Sequence, residues 1–233
     1  MTAPEPTAGP PRVTARFWHS RRSAAFAGIV FGVLMLVAMV MLRIALADNG
    51  RATLHDDPSR IRLVRLSLNL VPFAGIAFLW FIGVVRDQLG EVEDRLFSTV
   101  FLGSGLLFLA MFFGAAATTT SLVHVSDKGT VDAVLWSYGT GSAQAMMSIF
   151  AMRMAGVFVL SVSTVGLRTR ALPRWAALLG YLVAVVLLLT SDLQRWVQLL
   201  FPTWVLLVSV VILVTSPPDR GGAAEVAKAP DPS

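Results

Sequence analysis

An all-α polytopic membrane protein, with six transmembrane helices in a bundle, is the fold this sequence predicts, and three observations predict it. Of its 233 residues 55% are hydrophobic and only 14% are charged, where an ordinary soluble domain carries about a quarter charged residues. The apolar residues gather into runs of roughly 20, enough to cross about 30 Å of hydrocarbon as α-helix. Most of the arginines stand beside those runs, the arrangement that orients helices in a bilayer.

Composition also removes whole function classes. The chain has 0 cysteines, which excludes a disulfide, a thiolate nucleophile and cysteine-held iron–sulfur or zinc centres. Its net charge of +5 would suit nucleic acid, but the basic residues flank apolar segments. The lipid bilayer, and no nucleic acid, is therefore the expected partner. His19, His55 and His124 all fall outside the expected spans. No paired-imidazole haem site and no intramembrane serine–histidine dyad can be assembled from them, and no cofactor is expected.

Residues 1–23 read as a disordered basic tail, rich in Pro, Ala and Thr and then carrying Arg12, Arg16, Arg21 and Arg22, with Trp18 as an interfacial indole. The transmembrane domain is expected over 24–215, and its first span runs from Ala24 to about Leu46. Ala45, Leu46 and Ala47 have the small-x-small pattern of a signal-peptidase site. The apolar run before them exceeds the usual core of about 7 to 15 residues, however, and Arg43 interrupts it, so a retained span is expected. Ala24, Gly28 and Gly32 form a small-residue stripe that lets another helix backbone approach, either inside the protein or in a homo-oligomer or a complex with another membrane protein.

The stretch from Asp48 to Arg65 reads as an outer loop. Asp57 followed by Pro58 is a helix start, so the second helix begins outside the membrane and spans 66–85. Pro72 cannot donate to the Leu68 carbonyl and favours a bend, with Ser67 and Asn69 beside it. A short turn holding Asp87, Glu91, Glu93 and Asp94 leads to the third span, 96–117, where Gly103, Gly105, Gly114 and the run Ala115 to Ala117 imply tight helix contacts. An outer connection from Thr118 to about Thr130 follows. A helical extension with Asp132, Trp136 and Tyr138 comes next, which Gly139 and Gly141 are expected to break before the fourth span, 144–167.

Arg168, Arg170 and Arg174 close that span, and Pro173 with Trp175 opens the fifth, 175–190. Asp192, Gln194 and Arg195 turn the chain into the sixth span, 196–214, with a kink expected at Pro202. Residues 216–233 read as a second disordered tail. An even number of spans puts both termini on one side. The N-terminal arginines, Arg86, Arg95 and the cluster at 168–174 outweigh Arg51, Arg60, Arg62, Arg65, Lys128 and Arg195 of the opposite loops, which predicts cytoplasmic termini in a cytoplasmic membrane.

Arg153 is the residue around which a site can be drawn. It lies within the fourth span, roughly 22 Å by helical rise from Arg168, where a charge costs several kcal/mol unless it is paired or hydrated. Asp192, at roughly 25 Å from Trp175, and Asn69, at roughly 24 Å from Val85, come out level with it. Arg153, Asp192 and Asn69 are accordingly the candidate polar pocket. The competing reading is that Arg153 snorkels to the headgroups or pins two helices together.

Catalytic readings lack parts. Gly103-Ser104-Gly105 is similar to the serine motif of rhomboid-like proteases but has Leu102 where the first glycine is needed. Glu91 and Glu93 are not adjacent, as the acidic motif of the prenyl-protein proteases requires, and no two carboxylates share a span. No enzyme activity, catalytic residue or metal site is expected.

One short segment carries a resemblance. Arg170, Leu172, Pro173, Arg174 and Trp175, followed by Leu178, Leu179 and Gly180, resemble a stretch common in uncharacterised families of bacterial multi-span membrane proteins. The resemblance implies the six-span bacterial architecture and brings no activity with it. The expected function is a structural or accessory membrane component. The alternative is a transporter or channel for a small anionic or amphiphilic solute that uses an outward-facing Arg153 pocket.

Overall fold

A backbone in hydrocarbon has to satisfy its N–H and C=O groups within its own segment, and the apolar runs accordingly become helices. The computed structural model describes residues 13–45, 58–89, 95–128, 132–169, 172–189 and 196–215. The helices are α1 (Val13–Ala45), α2 (Pro58–Leu89), α3 (Arg95–Lys128), α4 (Ala133–Arg168), α5 (Arg174–Leu189) and α6 (Val197–Thr215). No strand occurs among the described residues. All but α5 are long and apolar enough to cross a membrane. The exception, α5, has 16 residues and so spans only roughly 24 Å.

Several helix ends differ from the sequence expectation, each for a local reason. α1 reaches back to Val13, since a helix nucleated on an apolar run propagates cheaply through residues such as Arg, Ala and Trp until glycine or proline intervenes. α3 continues to Lys128 instead of ending near residue 117. The hydroxyls of Thr118, Thr119 and Thr120 donate to the carbonyls of Gly114, Ala115 and Ala116 at 2.9, 2.8 and 2.8 Å, so the threonine run folds onto the helix it was expected to end. Gly139 and Gly141 do not break α4. Gly139 is buried where a Cβ would meet the Leu122 side chain, so its value is close approach of α4 to α3. α2 starts at Pro58 and passes through Pro72; proline at the first helical position loses no hydrogen bond. Residues 46–57, the acidic segment 91–94, Asp192 and the two ends of the chain lie outside the described residues.

One feature of α4 has no counterpart in the sequence reading. Between its α segments Ala133–Ala145 and Met152–Arg168 it makes a π turn, Met146–Ala151, in which the Met152 N–H bonds the Met147 carbonyl.

Facing residues give the order of the bundle. Phe31 and Gly28 of α1 meet Phe78 and Phe81 of α2, Gly75 and Ile82 of α2 meet Leu109 and Gly105 of α3, and Gly114 and Gly105 of α3 meet Met146 and Phe158 of α4. Gly166 and Gly156 of α4 meet Leu172, just before α5, and Leu188 of α5. In each pair one helix number rises as the other falls, so successive helices are antiparallel. Gly28 and Gly32 face Ser209 and Leu206, so α6 also runs against α1. The start of α1 and the end of α6 therefore share one end of the bundle, called proximal below. At the other, distal end the Arg43 guanidinium lies over the Trp196 ring at 5.2 Å.

The centre is filled by phenylalanine. Phe78 touches Phe31 of α1 at 4.6 Å, Phe108 of α3 at 5.2 Å, Phe158 of α4 at 5.2 Å and Phe201 of α6 at 5.9 Å between ring centroids. All five rings are 0% exposed. Lipid chains are as apolar as the core, so burial alone does not drive helices together in a bilayer; close contact and edge-to-face ring geometry do. A smaller aliphatic cluster lies at the distal end, where Val64 and Val123 pack with Leu42, Ile61 and Trp136.

Candidate functional site

Arg153 lies two positions after the end of the π turn at Ala151. It is half-buried, and its Nη1 donates to the Ile149 carbonyl at 3.0 Å. That bond directs the side chain toward the start of α4, the direction helical side chains favour, and hence toward the distal end. Gly156, one turn further along α4, faces Ala184, Leu187 and Leu188, and α5 stops at Leu189. Residues three apart share a helix face, so Arg153 stands level with the last turn of α5. The C-terminal carbonyls of a helix form the negative end of its dipole, and a cation there is favourable by about 0.3–1 kcal/mol at an exposed site. α5 has no basic residue of its own in that turn. Beyond it α4 continues without α5 for roughly 30 Å, flanked by α3.

The structure does not bring Asn69 to this point. Gly105 faces Phe158 and Gly114 faces Met146, which sets Arg153 level with about Leu109 of α3; Leu109 in turn faces Gly75 of α2. Asn69 lies a further six positions along, roughly 9 Å distal to that level, and on the exposed face of α2. Counting depth from each predicted span end assumed that those ends were flush. They are staggered: Ile82 is level with Gly105 and thus with Phe158, so Val85 lies well short of the level of Arg168. The third member of the expected pocket, Asp192, lies outside the described residues.

Other residues singled out in the sequence have structural roles here. Ser104 is buried, and its hydroxyl donates to the Phe101 carbonyl at 3.0 Å; neighbouring Gly105 admits Ile82 and Phe158. Ser67 donates to the Val64 carbonyl at 2.7 Å. Gly28 and Gly32 are occupied by α6 of the same chain, through Ser209, Leu206 and the Pro202 carbonyl. Among the described residues no group of three or more His, Asp or Glu side chains is placed to hold a metal ion.

Sequence reasoning missed a polar seam around α6. Ser163 Oγ, Trp204 Nε1 and Ser209 Oγ are buried without a hydrogen-bond partner among the described residues. Two of them fill glycine notches: Ser163 Oγ occupies the place a Cβ would take at Gly180, with Trp204 Nε1 3.0 Å from it, and Ser209 Oγ does the same at Gly28. A serine oxygen set against a glycine Cα is the geometry of the weak Cα–H···O contact found between closely packed helices. The available signal was a serine inside an uncharged apolar run, since such a hydroxyl ends either on its own helix or in a neighbour's notch.

Long apolar helices packed by rings and glycine notches define a multi-helix, membrane-embedded protein. Compared with family models, with curated proteins and with solved structures, the chain gives no match.

Proposed function

We propose that this is a six-span integral protein of the cytoplasmic membrane, with both termini cytoplasmic, that acts without catalysis as a structural or accessory component through helix contacts. The observation that carries the reading is the ring cluster about Phe78, in which five helices contribute side chains to one packed centre. A solute path along the bundle axis would have to part those rings. The sixth span is supported by chain direction: α4 and α6 run parallel, as Phe158 beside Phe201 and Ser163 beside Trp204 at Gly180 indicate, so the chain returns between them and α5 is the segment available. The exposed Arg86, Arg168 and Arg174 at the proximal end support a cytoplasmic placement of that end.

A transporter or channel for a small anionic or amphiphilic solute is the second reading, favoured by the π turn beside Arg153, because π turns recur at functional sites. The cysteine-free chain separates the two. Single cysteines replacing Arg51 and Lys128 are expected to react with a membrane-impermeant maleimide from outside the cell, and those replacing Gly90 and Ala171 only after the inner face is opened. In proteoliposomes no flux of small anions above empty vesicles is expected. Flux that Arg153→Ala abolishes would replace the first reading with the second.

A further inference from the structure

We propose that α2 is a self-association face, on which two copies of this chain pack α2 against α2 about an axis normal to the membrane, with their Asn69 amides hydrogen-bonded to each other. The inference rests on the bilayer reading above. The inner faces of α2 are used by α1 and α3, through Phe78, Phe81, Gly75 and Ile82. Its outer face presents Leu66, Asn69, Phe73, Ile76 and Trp80, all exposed, and then Gly83, over which a Cβ would meet nothing within 4 Å.

Lipid chains can cover leucine, phenylalanine and isoleucine. They cannot pair an amide, which brings two N–H donors and a carbonyl. Serine and threonine escape this problem by bonding back to their own helix, as Thr118, Thr119, Thr120 and Ser161 do here; a single carbonyl cannot exhaust an asparagine side chain. The occupant must therefore supply a donor and an acceptor together at the depth of Asn69. A second copy inserted in the same orientation does so by symmetry. The spacing also suits it: positions 66, 69, 73, 76, 80 and 83 alternate steps of three and four, the seam of parallel helices wound about each other. One polar residue in such a seam sets register and strand number. The exposed faces of α1, with Val33, Val37 and Val40, and of α5, with Leu178, Leu182 and Val185, are apolar too but carry no amide. Gly28 and Gly32 of α1 already seat α6 of the same chain.

The test uses the full chain in membranes, with single cysteines and copper phenanthroline as oxidant. Phe73→Cys and Ile76→Cys are expected to form disulfide-linked dimers, and Val37→Cys and Leu182→Cys to stay monomeric. Energy transfer between dye-labelled copies (Lys128→Cys) in liposomes should show Asn69→Ala weakening self-association roughly 3- to 30-fold, and Asn69→Gln restoring most of it. Equal cross-linking at all four positions, none at 73 and 76, or unchanged association of Asn69→Ala overturns the proposal. Alkaline carbonate extraction of the same variants distinguishes the failures: protein retained in the membrane without cross-links overturns self-association alone, whereas protein released from the membrane overturns the bilayer reading with it.

Discussion

The ring cluster at the centre and the glycine seam around α6 hold helices together by opposite means. About Phe78, large side chains from five helices fill the space between axes, and their centroids lie 4.6 to 5.9 Å from the central ring. Around Gly180 and Gly28 the helices meet because side chain is missing, and a serine oxygen occupies the notch. The first arrangement depends on volume and the second on its absence. A bilayer protein needs both, since no hydrophobic force favours helix over lipid and contact itself must supply the attraction.

The largest test of that contrast is to empty the centre. Phe78→Ala leaves a cavity bounded by rings from four other helices and is expected to cost about 3–5 kcal/mol, read as a fall in the unfolding midpoint of the detergent-solubilised protein. Filling the notches comes next. Gly180→Ala and Gly28→Ala drive a methyl into Ser163 Oγ and Ser209 Oγ and are expected to destabilise by about 1–3 kcal/mol each. Exchanging the partners, Gly180→Ala with Ser163→Gly, should recover much of the first loss, and a double-mutant cycle measures how much. An additive pair would mean that the notch does not fit these two residues to each other.

Smaller effects follow where a polar group is involved. Tyr181 donates to Thr164 Oγ1 at 3.0 Å, joining α5 to α4; Tyr181→Phe is expected to cost about 0.5–1.5 kcal/mol in the same melting experiment. Ser163→Ala removes a buried hydroxyl that has no hydrogen-bond partner among the described residues. It should be neutral or stabilising by about 1 kcal/mol, because the change deletes a desolvated group and leaves no new one unpaired. A substantial loss of stability in Ser163→Ala would mean that the oxygen makes a contact stronger than the packing around Gly180 indicates.

Much of the helical architecture could be read from residues near one another in sequence. Pro58 starts α2 where Asp57-Pro58 pointed, and five helices long enough to cross a bilayer match apolar runs. The misreadings arose where a local signal was overridden by a neighbour. Gly139 is a helix breaker in isolation and a contact surface beside Leu122. The threonines after Ala117 looked like a connection, yet each found a carbonyl one turn back on its own helix. Of the candidate site, Arg153 could be picked out because a charge inside an apolar run is conspicuous. Its relation to Asn69 could not, because the level of one helix against the next follows from how Gly75, Gly105 and Gly114 seat their partners.

Taken alone, the sequence determined that this chain forms long apolar helices, without cysteine chemistry, with its arginines gathered near helix ends. Those properties are settled residue by residue, through transfer from water to hydrocarbon and through hydrogen bonds that close within four positions. Only the tertiary structure decided that Phe78 is the hub, that Gly28 and Gly32 serve α6, that α4 widens into a π turn before Arg153, and that Asn69 faces outward. Stagger and rotation between helices depend on the fit of side chains far apart in the chain, and no single segment carries that information.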